Sequence, residues 1–267
     1  MIRLALIGAG TMGSAMLERW LSSGLLSPSD AVIVEKDPGR RDSVSAKLGV
    51  KATESLEDAE QAQMYVLAVK PQDSGPVIEE LSRVAGEATV ITIMAGVPVS
   101  RLRKSLGEDT SIVRVMPNVA ATVGAAASGY ALDPGPGGID EIMIVELLSA
   151  VGVPARVPES LLDAVTAVSG SGPAYFFLLV EALTDAGVKV GLTNEVARSL
   201  ARQTMWGAAS LMEQSGKEAE DLRKSVTSKG GTTAAALEVL ESSGIREIMD
   251  RAIEAARDRA RELSKET

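Results

Sequence analysis

The first thirteen residues constrain the fold of this chain more than any other stretch does. An apolar run, Ile2–Ile7, ends directly in the glycine turn Gly8-Ala-Gly10-Thr-Met-Gly13, and a helical pattern follows at Met12–Ser22. Strand, glycine turn and helix in this order predict a βαβ unit whose helix N-terminus presents backbone N–H groups to a phosphate. A lone motif of this kind is weak, so its interpretation depends on the chain that follows it.

Four further β-rich runs follow in the first half, separated by polar segments with helical potential. These runs are Ala31–Glu35, Met64–Val69, Thr89–Ile93 and Ser111–Val115. Strands that alternate with helices predict a mostly parallel sheet with helices on both faces. A Pro/Gly cluster interrupts the pattern at 133–138, but a helical segment at 139–150 and a strand-like one at 153–157 continue it. The sequence therefore predicts the α/β class, with a Rossmann-like dinucleotide-binding domain at 1–158.

After Pro158 the pattern becomes helical. Segments with helical spacing cover 159–168, 173–188, 194–214 and 245–265, and Thr193 is placed to cap the third of them. Segment 173–188 is apolar almost all round, which predicts that it is buried inside its own domain or against another subunit. We therefore expect a second, all-helical domain at 159–267 that mediates a homodimer.

Two absent residue types restrict the chemistry. The 267 residues include no Cys and no His, which excludes thiolate chemistry, Cys/His zinc sites and a histidine base, and no metal site is predicted. A net charge of −9 without a Lys/Arg-rich run argues against nucleic-acid and membrane partners. Because the sequence shows no secretory leader pattern and no apolar run of about 18 residues, a cytoplasmic location is expected.

The loops at the carboxyl ends of the strands form the expected cofactor site, because open α/β sheets bind ligands at that edge. Glu35 ends the second strand, where an acid binds the ribose hydroxyls of NADH, whereas Lys36, Arg40 and Arg41 beside it suit the 2′-phosphate of NADPH. The sequence leans to NADH and leaves NADPH open. The residues expected to bind the cofactor are Gly8, Gly10, Thr11, Met12, Glu35, Lys36, Ala68, Val69, Lys70, Pro71, Ala95 and Gly96.

The stretch Ser228-Lys-Gly-Gly-Thr-Thr233 joins two helical segments with weak helix formers. Its backbone N–H groups, together with hydroxyl groups at the start of an Ala-rich helix, can bind an anion. A glycine hinge with an N-cap is the alternative interpretation. The residues expected to contact substrate are Ser228, Gly230, Gly231, Thr232 and Thr233 in this stretch, Asn118 after the run 111–115, and Ser171 in SGSGPAY.

Several of these segments together resemble the pyrroline-5-carboxylate reductase family. The matching segments are LIGAGTMG, LAVKPQ, VRVMPN, TAVSGSGPAYFFLLVEALTDAGVKVGL and VTSKGGTTAAALEVLE. They stand in the family's order and span nearly the whole chain. SGSGPAY and GGTT carry most of the specificity, since a glycine fingerprint occurs in many families.

The resemblance implies an N-terminal Rossmann domain and a C-terminal helical dimerisation domain, with dimers often assembled into decamers. It implies an active site between one subunit's cofactor domain and the helical domains of the dimer. The implied reaction, the last step of proline biosynthesis, is hydride transfer from NADPH or NADH to the C=N carbon of Δ1-pyrroline-5-carboxylate, giving L-proline. Within the glycine–threonine stretch, the resemblance places Thr233 near the ring nitrogen as the catalytic residue, an orienting donor and candidate proton relay.

Lys229 departs from the family pattern, which usually has proline there. It is either a tolerated surface substitution or a cation that shifts preference toward a more acidic imino acid. Two other functions remain as alternatives: a reductase of another cyclic imino acid, and a non-catalytic nucleotide-sensing protein. A β-hydroxyacid dehydrogenase is disfavoured, because Tyr175–Leu178 lacks the lysine that such enzymes carry at the corresponding place.

Overall fold

The computed structural model describes residues 3–266, so Ile2, which begins the first predicted apolar run, lies outside the described residues together with Met1 and Thr267. Within this described range, eight strands form one sheet in the order β3-β2-β1-β4-β5-β6-β7-β8. The strands are β1 Leu4–Ile7, β2 Ala31–Val34, β3 Lys51–Thr53, β4 Met64–Leu67, β5 Thr89–Thr92, β6 Ser111–Met116, β7 Ala126–Asp133 and β8 Gly152–Arg156.

All neighbouring strands are parallel except β6 and β7, which pair antiparallel with Met116 opposite Gly129. The strand order reverses at β1, whose two neighbours are β2 and β4. Such a reversal opens a crevice at the carboxyl ends of the strands. The glycine turn that follows β1 stands at this crevice.

Within residues 3–266 the chain forms eleven α-helices, of which α1 to α5 lie between strands in the sequence and α6 to α11 follow β8. They are α1 Thr11–Ser22, α2 Pro38–Leu48, α3 Ser74–Leu81, α4 Val99–Leu106, α5 Glu141–Ser149, α6 Leu162–Val165, α7 Gly172–Lys189, α8 Asn194–Ser215, α9 Ala219–Ser225, α10 Thr232–Ser242 and α11 Ile245–Glu266. This arrangement confirms the predicted class, a mostly parallel α/β sheet followed by a helical region.

The sheet is buried on both faces, and this explains why its inner strands read as continuous apolar runs. Leu4 and Leu6 point into one core with Trp20 of α1, while Ala5 and Ile7 point into a second core with residues of α3 and α4. The indole Nε1 of Trp20 donates to a backbone carbonyl of α5 at 2.8 Å, so the one buried polar atom of this side chain has a partner.

The chain divides into two compact units. The first runs to Ser171 and also includes the chain from Ala255 onward, and the second covers Gly172–Glu254. In the second unit α7 packs closely on α8, because a Cβ added at Gly187 would lie 3.0 Å from the Cβ of Ala197. Many large apolar side chains of α7, among them Phe176–Leu179, are exposed in the single chain.

Candidate functional site

Gly8, the first glycine of the turn, is required by both conformation and space. Its φ is +91°, in the left-handed region that side chains other than glycine rarely adopt. A Cβ there would lie 2.8 Å from Cγ1 of Val69 and 2.9 Å from the carbonyl oxygen of Ala68. The end of β1 can therefore lie directly against the end of β4 only because residue 8 has no side chain.

The other two glycines of the turn differ sharply in their surroundings. A Cβ at Gly13 would lie 2.6 Å from the Gly8 carbonyl oxygen and 2.9 Å from the Ala68 Cβ, so this position brings α1 close to the strands. A Cβ at Gly10 would meet no atom within 4 Å, and Gly10 precedes α1 without capping it through a side chain. The space left at Gly10 beside the α1 N-terminus fits a pyrophosphate group.

A cleft of about 710 Å³ opens at this turn, within the first unit, and its volume is typical of a cofactor site. Among the predicted cofactor residues, those lining it are Gly8, Gly10, Thr11, Glu35, Lys36, Ala68, Val69 and Lys70. Met12 packs against the apolar core, and Pro71, Ala95 and Gly96 lie in the turns after β4 and β5. The lining also includes Gln72 and Asp73 in the turn before α3 and Pro76 and Glu80 of α3, which sequence reasoning missed because these positions show no motif.

Glu35 lies at the end of β2 and is the most constrained acid of the cleft. Its side chain is only 7% exposed. One carboxylate oxygen accepts hydrogen bonds from the backbone N–H of Ala9 at 2.9 Å and from Arg40 at 3.2 Å, and the other accepts from the N–H of Asp37 at 2.9 Å. These bonds fix the carboxylate beside the glycine turn, where the adenosine end of a dinucleotide would lie.

Three cations surround Glu35. Arg40 is half exposed and pairs with the carboxylate itself. Arg41 donates to the Glu35 carbonyl oxygen at 3.0 Å and to Glu54 at 3.5 Å. Lys36 lines the cleft and is exposed. The site thus combines an acid that suits ribose hydroxyl groups with cations that suit a phosphate.

Asn118 and Ser171, both expected at the substrate, belong to the same unit but differ in accessibility. Asn118 is 9% exposed, and its amide nitrogen donates to the Ser169 carbonyl oxygen at 3.0 Å. Its side-chain oxygen accepts from the Ala120 N–H at 3.2 Å. Ser171 is partly exposed and ends a π-helical turn, Thr166–Gly170, which the sequence did not predict.

The glycine–threonine stretch lies in the second unit and begins α10. Gly230 has a φ of +73°, and a Cβ at Gly231 would collide with the hydroxyl group of Ser228. Gly231 is the N-cap of α10 and offers no side chain, so the N–H groups of the first helical turn have no capping side chain. Thr232 is exposed and Thr233 is half-buried. The local geometry suits an anion, because these N–H groups and the positive end of the helix converge.

Two features of the described residues bear on metal and membrane binding. Residues 3–266 contain no group of three or more Asp or Glu side chains arranged to hold a metal ion. One helical stretch, residues 159–189, is long and apolar enough to cross a membrane by length and composition. A single stretch of this kind is weak support for a membrane span, since apolar helices of protein interiors and subunit interfaces meet the same test.

The chain matches two family models. Residues 159–263 match the model described as pyrroline-5-carboxylate reductase dimerisation, and residues 3–96 match the NADP oxidoreductase coenzyme F420-dependent model. The first match covers the region predicted to be helical. The second covers the glycine turn and the strands β1–β5.

Relatives match over nearly the full length. A pyrroline-5-carboxylate reductase of Mycobacterium tuberculosis is 42% identical over 98% of this chain and 97% of its own. One of Methanosarcina acetivorans is 40% identical over 98% of each.

Solved structures agree with these relatives. The Coxiella burnetii pyrroline-5-carboxylate reductase has a TM-score of 0.93 at 35% identity, covering 98% of each chain. A Plasmodium falciparum pyrroline carboxylate reductase, solved with NADP bound, has a TM-score of 0.85 at 28% identity over the same shares. Together with the glycine turn and its cleft, these matches show that the chain is a nicotinamide-dependent oxidoreductase that belongs to the pyrroline-5-carboxylate reductase family.

Proposed function

We propose that this chain carries out the reaction for which its family is named, the reduction of Δ1-pyrroline-5-carboxylate to L-proline. The match to relatives at 40–42% identity over 98% of the chain is the observation that carries the proposal. The cleft at the glycine turn supports it, because its one open glycine position lies where a pyrophosphate would be held.

The chain's own residues would hold the cofactor along the carboxyl edge of the sheet. The N–H groups at the start of α1 would bind the pyrophosphate beside Gly10, and Glu35 would bind the adenosine ribose. The turns after β4 and β5, with Lys70 and Gly96, would border the nicotinamide half. The bound dihydronicotinamide supplies the hydride, and the protein supplies its orientation.

The substrate carboxylate needs donors that are not committed elsewhere. The backbone N–H groups of Thr232 and Thr233, which open α10 without a capping side chain, and the hydroxyl group of Ser228 lie at the positive end of this helix in the second unit. We assign the substrate carboxylate to this stretch. An anion at a helix N-terminus is stabilised by about 0.3–1 kcal/mol, and by more where it is shielded from water.

The lack of histidine fits reduction of an imine better than reduction of a ketone. A ketone needs an acid that protonates the developing alkoxide. A cyclic imine is more basic and can bind already protonated, so hydride addition at carbon only returns an electron pair to nitrogen. The Thr233 hydroxyl group would orient that nitrogen as a hydrogen-bond acceptor for its N–H, and no strong side-chain acid is required.

For the cofactor we propose NADH over NADPH. The supporting observation is that Glu35 is buried and held by two backbone N–H groups beside the glycine turn. A carboxylate fixed there repels a 2′-phosphate and accepts hydrogen bonds from ribose hydroxyl groups. Arg40 is the residue that could reverse this preference, since it already reaches the same carboxylate oxygen.

For the assembly we propose a homodimer through the helical region, with a decamer as its higher-order form, in the cytoplasm. The large apolar side chains of α7 support the dimer, because Phe176, Phe177 and Leu178 are all more than half exposed in the single chain. Light scattering of the purified protein distinguishes the two assemblies by mass.

The direct test follows NADH or NADPH absorbance with Δ1-pyrroline-5-carboxylate and L-proline as the identified product. Consumption of either cofactor with stoichiometric proline supports the proposal. Cofactor binding without turnover would favour a nucleotide-sensing protein instead. A panel of cyclic imines on wild type and Lys229→Pro tests substrate preference, and faster turnover of another ring would favour the alternative reductase.

A further inference from the structure

A strap, residues 159–171, leads from the sheet toward α7 and is fixed to the sheet at both ends. At its first end Glu159 accepts from Arg114 of β6 at 2.9 Å and from the backbone N–H of Val99, at the start of α4, at 2.7 Å. Arg114 is only about 10% exposed. The carboxylate therefore joins the strap to a strand and to a helix at once.

The middle and the far end of the strap lie against the middle of β7 and the carboxyl end of β6. The Val165 side chain occupies the space beside Gly129, because a Cβ added at Gly129 would lie 2.7 Å from Cγ1 of Val165. A Cβ at Gly170 would lie 3.0 Å from Cε of Met116. Ala167 between them is fully buried. The strap is thus packed on the sheet at several positions and does not behave as a free linker.

Between these contacts the strap forms a π-helical turn, Thr166–Gly170, closed by a hydrogen bond from the Ser171 N–H to the Thr166 carbonyl oxygen at 2.8 Å. Turns of this kind are rare and occur mostly where function requires them. In an α-helix the Ser169 carbonyl would accept from the N–H of residue 173, but residue 173 is a proline and has none. The Asn118 amide supplies a donor to this carbonyl at 3.0 Å.

We propose that Asn118 is a positioning residue: by donating to the Ser169 carbonyl it fixes the π-helical turn and thereby the place of Ser171. The contact joins the carboxyl end of β6, an edge where ligands bind, to a residue 51 positions further along the chain. Both ends of the Asn118 side chain are engaged within the protein, so its effect on substrate is exerted through the strap. The effect on turnover rests on the proposed function, whereas the fixing of the turn does not.

Hydrogen exchange of the Ser171 amide tests the inference without any activity measurement. Asn118→Ala removes the donor, and Asn118→Asp keeps the oxygen that accepts from Ala120 while replacing the donor. A buried carbonyl left without a partner weakens the local structure, so we expect exchange at Ser171 to become about tenfold to a hundredfold faster in both variants. The Gly8 amide, bonded to Val34 at 2.9 Å inside the sheet, is the internal control.

Pro173→Ala provides the discriminating variant, because it restores an N–H that can donate to the Ser169 carbonyl. In a Pro173→Ala background, Asn118→Ala should then change Ser171 exchange by less than about threefold, since the carbonyl has a second donor. Unchanged exchange in the single Asn118 variants would overturn the inference. So would an Asn118→Ala effect of equal size with and without Pro173, because that result means general destabilisation.

Turnover gives the second readout. We expect Asn118→Ala to lower kcat/KM about tenfold and the Pro173→Ala background to recover most of that loss, whereas a direct contact between Asn118 and substrate would leave the loss unrecovered. If the wild type proves inactive on the imine but Asn118→Ala still accelerates exchange at Ser171, the proposed function fails and the inference stands. If the wild type is active on the imine and Asn118→Ala leaves exchange at Ser171 unchanged, the inference fails and the proposed function stands.

Discussion

At the scale of single residues, two glycines of the first turn have different roles: Gly13 is needed for packing, whereas Gly10 leaves space for a ligand. Gly13 is surrounded by backbone and by Ala68, while Gly10 faces open space. Both adopt conformations that other residues can adopt, since neither has a positive φ. The difference between them is therefore one of space alone, and a methyl group at each position probes it.

Gly13→Ala should mainly lower stability, whereas Gly10→Ala should mainly weaken cofactor binding. At position 13 the methyl group meets backbone oxygen at 2.6 Å, so we expect a loss of about 1–3 kcal/mol in the free energy of unfolding. At position 10 the fold should lose less than about 1 kcal/mol, through a poorer N-cap, while the cofactor Kd rises about tenfold or more. Thermal denaturation and fluorescence titration measure the two quantities. If Gly10→Ala binds the cofactor as tightly as the wild type does, the pyrophosphate does not bind beside Gly10.

Arg40→Ala tests the cofactor preference. If Glu35 binds the ribose of NADH, loss of Arg40 should leave kcat/KM for NADH within about threefold and lower kcat/KM for NADPH about tenfold, as expected for one lost phosphate contact of about 1–2 kcal/mol. Glu35→Gln is the matched variant, because it removes the charge that repels a 2′-phosphate and should shift preference toward NADPH. A wild type that strongly prefers NADPH would contradict the proposal.

At the level of helices and loops, the stretch before α10 combines a left-handed glycine, a glycine N-cap and two threonines in six residues. An N-cap without a side chain leaves the first N–H groups of the helix without a side-chain acceptor. The same stretch offers hydroxyl groups on both sides of that end. Its sequence is therefore explained by binding better than by the need to connect two helices.

Thr233→Val should separate the two threonines. It keeps the shape and removes the hydroxyl group, so we expect kcat/KM to fall about 10²-fold if this group contributes ~3 kcal/mol in the transition state. Thr232→Val is the control and should lose less than about fivefold, within the range of a weakened surface contact. Steady-state kinetics on variants with unchanged melting temperature measure both. If both variants lose the same factor in kcat/KM, the two threonines contact the substrate carboxylate and Thr233 has no separate role at the ring nitrogen.

Long apolar elements could be predicted from the sequence, whereas elements that depend on distant partners could not. The strands β2, β4, β5 and β6 and the helices α7, α8 and α11 lie within a few residues of their predicted bounds, and the Thr193 cap is confirmed. The antiparallel strand β7 was missed because Ala, Ser and Gly at 125–129 carry little strand signal. The predicted helix at 159–168 is helical, but it consists of a 3₁₀ turn, α6 and a π-helical turn in succession, and this change of helix type could not be predicted from the sequence.

The candidate site shows the same division. The glycine turn and Glu35 could be predicted because their spacing from a strand end is local in the sequence. The hydrogen bond from Asn118 to the Ser169 carbonyl oxygen could not, since a polar residue after a strand gives no sign of which distant carbonyl it contacts. The engagement of Arg114 with Glu159 was missed for the same reason.

The protein as a whole leaves an apolar helical surface exposed in the single chain. Phe176, Phe177, Leu178 and Leu179 are each more than half exposed. A patch of this kind marks an interface, and the matched dimerisation model covers it. The mass and stability of the protein should therefore depend on its concentration.

Phe177→Glu should disrupt that interface. A buried Phe contributes about 1.5–3 kcal/mol, and a two-fold interface contains each position twice, so we expect the dimer Kd to rise about 100-fold or more. Light scattering should show the mass falling toward the 27.8 kDa of one chain. Ile142→Glu, which changes an exposed apolar residue of α5, is the control and should leave the mass unaltered. An unchanged mass for Phe177→Glu would place the interface elsewhere.

The edge strand β8 carries a last consequence for how copies of this protein meet. Because the Val157 N–H bonds to Tyr130 of β7, alternate residues along β8 face β7, and Pro154 faces outward. Because proline has no backbone N–H, the exposed edge of β8 has one hydrogen-bond donor fewer. This loss disfavours pairing of a strand from another molecule with that edge. Pro154→Val should therefore leave the native assembly intact yet hasten fibrillar aggregation on mild heating. Pro154 thus opposes open-ended assembly through the sheet edge, so that copies of the chain associate through their helices into oligomers of defined size.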